Sequence, residues 1–535
     1  MHYNSIPYNM NARQVRPPQP LSSRHNRVQG ARAAKPSPGQ RTGRLRSRRT
    51  FLLLLLAGIV ITASLLVAAD FQKSGSTLQV QVGNQQAALL DLNQGVSISP
   101  YLLGSNAFPK AGSRAKDPQG RGFMNYSDQV QQGLRSASVK LLRYPGGNWG
   151  EEHTLSAEQL NDFSNLLNQV GAEGMLQAQL SDPLDVTPVP LQKRATRAAL
   201  LVDYMNNSKS IQRIGTNIPF HRIAYWTVGN EPDLLTNPDT RQKYTASEYA
   251  DAFITYSLAM HEKDPTIKIF GPEISHYQGP NSLKDRQGKP WMETFLQTIA
   301  QYERTHNLSF HLIDGVSFHY YPLGNTGGNT NTLANDPAQW STSLPPLRQF
   351  IRQQFGRDIP LAITEINANS GGPLPAQASS TLWWADTLGK LMSNWVEYVT
   401  FFSTEGVNNP YPLFTGKDLK ETAMLRVMQL FARLQPRFIP AQDSSGPVSI
   451  YATRDNNQNI VSLLLINKTT QAQHIRVQAG SIIPFGQWHN ADLTLQGQTI
   501  AMLTLHRNGR NEALGFSTIP DTQQPVPDIQ PIPLR

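Results

Sequence analysis

Residues 139–180 read VKLLRYPGGNWGEEHTLSAEQLNDFSNLLNQVGAEGMLQAQL, and the fold turns on this stretch. The run 139–144 is short, apolar and of strand type. Ser156 and Gln159 then form a capping box, a helical pattern continues to Val170, and Gly171 stops it. A second apolar run occupies 175–180. Strand, helix and strand in succession make a βα unit.

The alternation extends in both directions. Further strand runs lie at 101–104, 223–228, 267–270, 313–320, 361–364 and 398–402. Thr245 and Glu248 cap a helix reaching His261, and helical patterns lie near 291–306, 345–355, 378–393 and 421–434. Eight βα units predict an α/β fold, a (β/α)8 TIM barrel over 99–434. An open doubly wound sheet would carry a Gly-rich fingerprint after its first strand, and there is none. Beyond Arg437 helical periodicity gives way to strand runs separated by turns such as Asp455-Asn456-Asn457. Residues 437–516 therefore predict a β-sandwich, joined by 77–98, with a Pro-rich extended tail at 517–535.

The chain carries 48 basic and 38 acidic side chains, but the charge is uneven. Residues 1–69 hold 11 Lys and Arg and no acid, leaving 37 basic against 38 acidic in 70–535. Residues 51–69 are uncharged, long enough to span a bilayer, and preceded by Arg44, Arg46, Arg48 and Arg49. This pattern predicts a disordered basic cytoplasmic leader at 1–50, a transmembrane anchor or signal segment at 51–69, and an extracytoplasmic body. Val67-Ala68-Ala69 would permit secretion by cleavage after Ala69, and the Arg48-Arg49 pair resembles a bacterial twin-arginine signal. A near-neutral body argues against nucleic acid as partner. The absence of cysteine excludes disulfides, thiolate nucleophiles and Cys-ligated metals.

In a βα barrel, chemistry gathers at the C-terminal ends of the strands. Those ends offer Arg143, Asp182, Glu231, Glu273, His319, Tyr321, Glu365 and Glu405. Such a mouth admits carboxylate acid–base or nucleophilic catalysis, or a hard-cation site. Glu231 and Glu365 end the fourth and seventh strands and so face each other across the mouth. Trp149, Trp384 and Tyr411 are either sugar-stacking or packing aromatics.

Four segments carry a family resemblance. Trp226-Thr227-Val228-Gly229-Asn230-Glu231-Pro232-Asp233 resembles the acid/base motif of clan A retaining glycosidases, and Ile363-Thr364-Glu365-Ile366-Asn367 resembles their nucleophile motif. Leu142-Arg143-Tyr144-Pro145-Gly146-Gly147-Asn148 is similar to the second-strand segment of α-L-arabinofuranosidases. Phe318-His319-Tyr320-Tyr321-Pro322 resembles the clan's sixth-strand segment. Residues 370–434 are similar to heparanase-type β-glucuronidases; β-xylosidases belong to the same circle of families. The resemblance implies Glu231 as acid/base, with a raised pKa, and Glu365 as nucleophile. It implies Asn230 on the sugar 2-hydroxyl, Arg143 and Tyr321 holding Glu365, and His319 beside them. One departure concerns sugar identity: the Trp of many clan members at the end of strand eight is replaced by Phe402-Ser403-Thr404-Glu405.

The expected protein is an exported retaining O-glycosyl hydrolase acting on an oligo- or polysaccharide. No metal, organic cofactor or obligate protein partner is implied. A non-catalytic surface glycan binder on a degenerate barrel is the alternative.

Overall fold

The computed structural model describes residues 77–535 apart from 113–121, 182–188, 214–219, 327–329, 408–409, 417, 443–445, 481–487 and 520–527. The expected leader at 1–50, the apolar segment at 51–69 and Asp182 lie outside the described residues. Among the described residues no helix is long and apolar enough to cross a membrane.

Eight parallel strands close into a barrel. In chain order they are Gly104–Asn106, Leu141–Tyr144, Glu173–Ala178, Tyr225–Val228, Lys268–Ile274, Gly315–Tyr320, Leu361–Ile366 and Tyr398–Phe401. The eighth pairs with the first through Thr400–Gly104 and Phe401–Ser105. Local sequence explains where the surrounding helices start and stop. Ser156 Oγ accepts from Gln159 N at 3.2 Å while Gln159 Oε1 accepts from Ser156 N at 2.9 Å, opening the helix Ala157–Val170. Gly171 ends it in the left-handed region at φ 73°. Thr245 and Glu248 form the same reciprocal pair before Ala246–Lys263.

The run expected as the first strand, 101–104, is a correction. Pro100–Leu102 form a 3-10 turn, with Ser99 Oγ accepting from Tyr101 N at 3.1 Å, and the strand begins only at Gly104. Proline supplies the φ of a first helical position, and Tyr101 has a better use than lining a strand. Its ring stacks on Tyr398 at 5.2 Å, within a group including Tyr225 and Phe270 that plugs the N-terminal end of the barrel. At Gly104 a Cβ would lie 2.5 Å from the Val399 carbonyl oxygen, so only glycine lets the ring close there.

The remaining strands form two antiparallel sheets. One joins Thr77–Val82 and Gln85–Asp91 to Gln473–Gly480 and Ala491–Leu495, with Ala441–Gln442 at its edge. The other is built around Val448–Arg454, Ile460–Asn467, Thr499–His506 and Glu512–Ser517. Leu78, Val80 and Leu90 of the first share an apolar core with Ile450, Leu463 and Leu503 of the second. The end of the chain is extended yet docked: Gln530–Pro531 pair with the Glu512–Ser517 strand, and Arg535 N donates to Asp492 O at 2.8 Å. Tyr451 and Lys468 fasten this layer to the barrel, meeting Asp386 at 2.6 and 2.9 Å.

Candidate active site

Strand periodicity accounts for the floor of the site. Leu141, Met175, Phe270 and Ala362 form an apolar layer inside the barrel. Two residues further along their strands, Arg143 and Thr364 point the same way, above that layer. Glu365 and Glu273 break the alternation. The register shifts between Ile363 and Ile366 and between Pro272 and Ile274, and these irregularities turn the two carboxylates inward. Glu273 at φ 60° and Glu231 at φ 45° are left-handed, a conformation costing non-glycine residues about 1–2 kcal/mol. Glu231 N donates to Glu273 O at 2.9 Å, tying the two strained positions together.

Arg143 is fully buried at the centre. Nη1 donates to Glu365 Oε1 and Asn106 Oδ1, both at 2.9 Å; Nη2 donates to Glu273 Oε2 and Asn230 Oδ1, both at 2.8 Å. Burial works against the guanidinium charge, but Glu273 and Glu365 more than offset it, and the Arg143 pKa lies above its ordinary value. Tyr321 donates its hydroxyl to Glu365 Oε2 at 2.7 Å. Asn230 Nδ2 donates to Asn148 Oδ1 at 3.0 Å.

His319 stands among three carboxylates. Its Nδ1 is 3.0 Å from Glu231 Oε1 and 3.5 Å from Glu365 Oε2, and its Nε2 is 3.5 Å from Glu273 Oε2. Burial disfavours the imidazolium, yet the surrounding carboxylates raise its pKa to about 10. Glu273 is likewise fully buried, which opposes ionisation, but Arg143 and His319 bring it down to about 2. Thr364 Oγ1 donates to its other oxygen at 2.8 Å. Glu231, His319 and Glu365 each present a ligand atom within 4.8 Å of the others, a spacing that could hold a cation.

The six side chains singled out from sequence, Glu231, Glu365, Asn230, Arg143, His319 and Tyr321, thus meet in one cluster. Glu273 is an interior ion-pair partner. Glu405 lies apart: its Oε2 accepts from Asn125 N at 2.7 Å, a bond that favours the carboxylate, but burial outweighs it and raises its pKa to about 7. Trp149 and Trp384 are buried and pack against Phe123 and Phe401. The Tyr411 hydroxyl is 3.1 Å from Pro375 O. Phe402 is half-buried, with Phe108 and Tyr321 edge-on at 5.9 and 6.2 Å.

Three contributors escaped the sequence reading. Asn106 was hidden because placing the first strand at 101–104 misplaced its end. Asn148 and Asp233 lie within the quoted motifs. Asp233 accepts from Ser275 N and Oγ at 2.9 and 2.5 Å; burial raises its pKa to about 6, with the Glu231 charge adding to the effect.

Residues 144–323 match the sequence model of glycoside hydrolase family 44. No curated protein sequence matches the chain. Among solved structures it is similar to an arabinofuranosidase, with TM-score 0.57 and 16% identity, over 86% of this chain and 96% of that one. It is also similar to a family 44 xyloglucanase from Paenibacillus polymyxa, with TM-score 0.53 and 14% identity over 77% and 97% of the two chains. An arabinose complex of α-L-arabinofuranosidase from Thermotoga maritima gives TM-score 0.52 and 15% identity over 82% and 93%. At these identities the structural likeness is one of fold. Arabinofuranosidases are among the families the motifs resemble; family 44 is an addition to them. The sequence match to a glycoside hydrolase family supports a glycosidase, and the neighbours agree with it in fold.

Proposed function

We propose that this chain is an exported retaining glycoside hydrolase acting on a polysaccharide or its oligosaccharides. The observation that carries the reading is the spacing of two glutamates. A Glu231 carboxylate oxygen lies within 4.8 Å of a Glu365 carboxylate oxygen. Retaining enzymes set their carboxyl groups about 5–5.5 Å apart, whereas inverting enzymes leave roughly 6.5–9.5 Å for a water.

The two positions suit different roles. Glu365, whose side chain is 5% exposed, is gripped at both oxygens by Arg143 and Tyr321 and aimed for attack. Glu231, at 13%, is the more open of the two, where a leaving group departs. In the first step Glu365 bonds to the anomeric carbon, the glycosidic bond breaks, and the leaving oxygen takes the Glu231 proton. In the second, Glu231 takes a proton from water, the water oxygen bonds to the anomeric carbon, and Glu365 is released. Asn230, braced by Arg143 and Asn148, would receive the sugar 2-hydroxyl.

The family 44 match and the xyloglucanase and arabinofuranosidase neighbours support a plant-type polysaccharide substrate. Export rests on the basic flank and apolar run at 51–69. The test is Glu365→Ala assayed on a panel of aryl glucosides, xylosides, arabinofuranosides and glucuronides. The variant should lose turnover, and azide should restore a product of inverted configuration. Wild-type turnover by the variant overturns the assignment. A wild-type chain that binds glycans and hydrolyses none establishes the glycan-binding alternative.

A further inference from the structure

The charge of the body is balanced overall but uneven locally. Residues 70–535 hold 37 basic and 38 acidic side chains, yet the segments 234–245 and 279–291 together hold five basic and two acidic ones. The five are Arg241, Lys243, Lys284, Arg286 and Lys289. Both segments leave the C-terminal ends of barrel strands. The first continues from Glu231 beyond the fourth strand, the second from beyond the fifth.

Hydrogen bonds lock the two segments into one ledge. In the first, Arg241 N donates to Asn237 O at 2.9 Å and Asn237 N to Gln242 O at 2.7 Å. In the second, Asp285 N donates to Lys289 O at 2.8 Å and Trp291 N to Leu283 O at 2.9 Å. Arg286 joins them, its Nε donating to Lys243 O at 2.8 Å and its Nη2 to Glu248 Oε1 at 2.7 Å. The ledge is also tied to the catalytic cluster, because Leu234 N donates to Glu231 O at 2.8 Å.

The acids around the ledge are engaged elsewhere. Asp285 is buried and accepts from Ala246 N, Gln287 N and Lys289 N at 3.1, 2.9 and 3.0 Å. Asp239 pairs with Arg194 at 2.8 Å, Glu248 with Arg286, and Glu293 accepts from Asn281 N at 3.1 Å. Arg241, Lys243, Lys284 and Lys289 are exposed, and among the described residues none of the four forms an ion pair. Four cations thus stand unbalanced on a fixed support, which lowers the ordering cost of meeting an anionic partner.

We propose that this ledge receives the leaving-group side of an anionic polysaccharide, one bearing carboxylate or sulfate groups along its chain. Glu231 gives its proton to the leaving oxygen, so the departing sugars lie on the Glu231 side of the mouth. The chain runs from Glu231 directly into the ledge. The inference rests on the glycosidase reading and deepens it by adding the charge of the substrate.

The experiment compares polymers that share a backbone: hydroxyethylcellulose, carboxymethylcellulose and cellulose sulfate, and arabinoxylan beside glucuronoxylan. The full chain is assayed for kcat/KM at about 10 mM and about 1 M salt, where the screening lengths are about 30 and 3 Å. At low salt the anionic member of a pair should be favoured on the order of tenfold, and high salt should remove the preference. The variant combining Arg241→Gln, Lys243→Gln, Lys284→Gln and Lys289→Gln should bring the two members of each pair together already at low salt. The basic leader is the same in both proteins, so a polymer bound there leaves the difference between them unchanged. A gain on carboxymethylcellulose and glucuronoxylan assigns the anion as carboxylate; a gain on cellulose sulfate alone assigns it as sulfate. A wild type without preference for either anion, a preference indifferent to salt, or one that the variant retains overturns the proposal. The salt comparison needs only the wild type, so it decides even where the variant fails to fold. A wild type that cleaves aryl glycosides and no polymer overturns the ledge as a substrate surface. One that cleaves no glycoside of any kind overturns the glycosidase reading instead.

Discussion

Tyr321 donates its hydroxyl to Glu365 Oε2 at 2.7 Å, opposite the oxygen that takes Arg143 Nη1 at 2.9 Å. The nucleophile is thereby fixed from two sides by strands on opposite walls of the barrel. Replacing Tyr321→Phe removes one side and keeps the ring's packing on Phe402. Freedom of a reacting group costs about 10²-fold in rate for an ångström of misplacement. Steady-state kinetics should show kcat falling on that order, with KM little changed and the melting temperature preserved.

Gly147 has φ 54°, and a Cβ there would lie 3.1 Å from Phe402 and 3.3 Å from Glu365 Oε1. Gly147→Ala meets a left-handed backbone penalty of about 1–2 kcal/mol and presses on the nucleophile at once. The expectation is a lower melting temperature together with a loss of kcat. An alanine variant with both intact would show that the space above Glu365 is not limiting.

Glu405 gives a pH dependence with a definite sign. Burial raises its folded-state pKa to about 7, so the folded protein holds this proton more tightly than the unfolded chain does. The stability that follows is fully present below the ordinary carboxylate range and is lost as pH rises through about 7. Glu405→Gln should therefore raise the melting temperature relative to wild type at pH 8, by a few degrees, and by much less at pH 4. Calorimetry of both proteins at the two pH values checks the crossover.

The sandwich is fastened where Tyr451 crosses the helix Gln377–Ser393. A Cβ at Gly389 would come within 2.3 Å of the Tyr451 ring, and the Tyr451 hydroxyl reaches Asp386 Oδ1 at 2.6 Å. Gly389→Ala should overpack this seam at a cost of about 1–3 kcal/mol. Thermal melting should drop by several degrees, while KM on an aryl glycoside stays at the wild-type value, since no active-site residue lies in the seam.

Sequence alone determined what local physics determines. The Ser156/Gln159 and Thr245/Glu248 caps, the Gly171 stop and the repeated apolar runs fixed most barrel elements, because caps and periodicity act over a few residues. The Asn230-Glu231-Pro232 and Thr364-Glu365 segments marked both carboxylates, and strand order placed them opposite each other. What only the tertiary structure decided was direction and company. Period-two alternation cannot foresee the irregularities that turn Glu273 and Glu365 inward. Nor can it tell that Tyr101 plugs the barrel floor and so delays the first strand to Gly104. Whether Glu273 bridges ions or meets substrate depends on residues far apart in the chain, Arg143, His319 and Thr364, closing around it. Charge in a low-dielectric interior is shared among neighbours in space, and those neighbours exist only once the ring has closed.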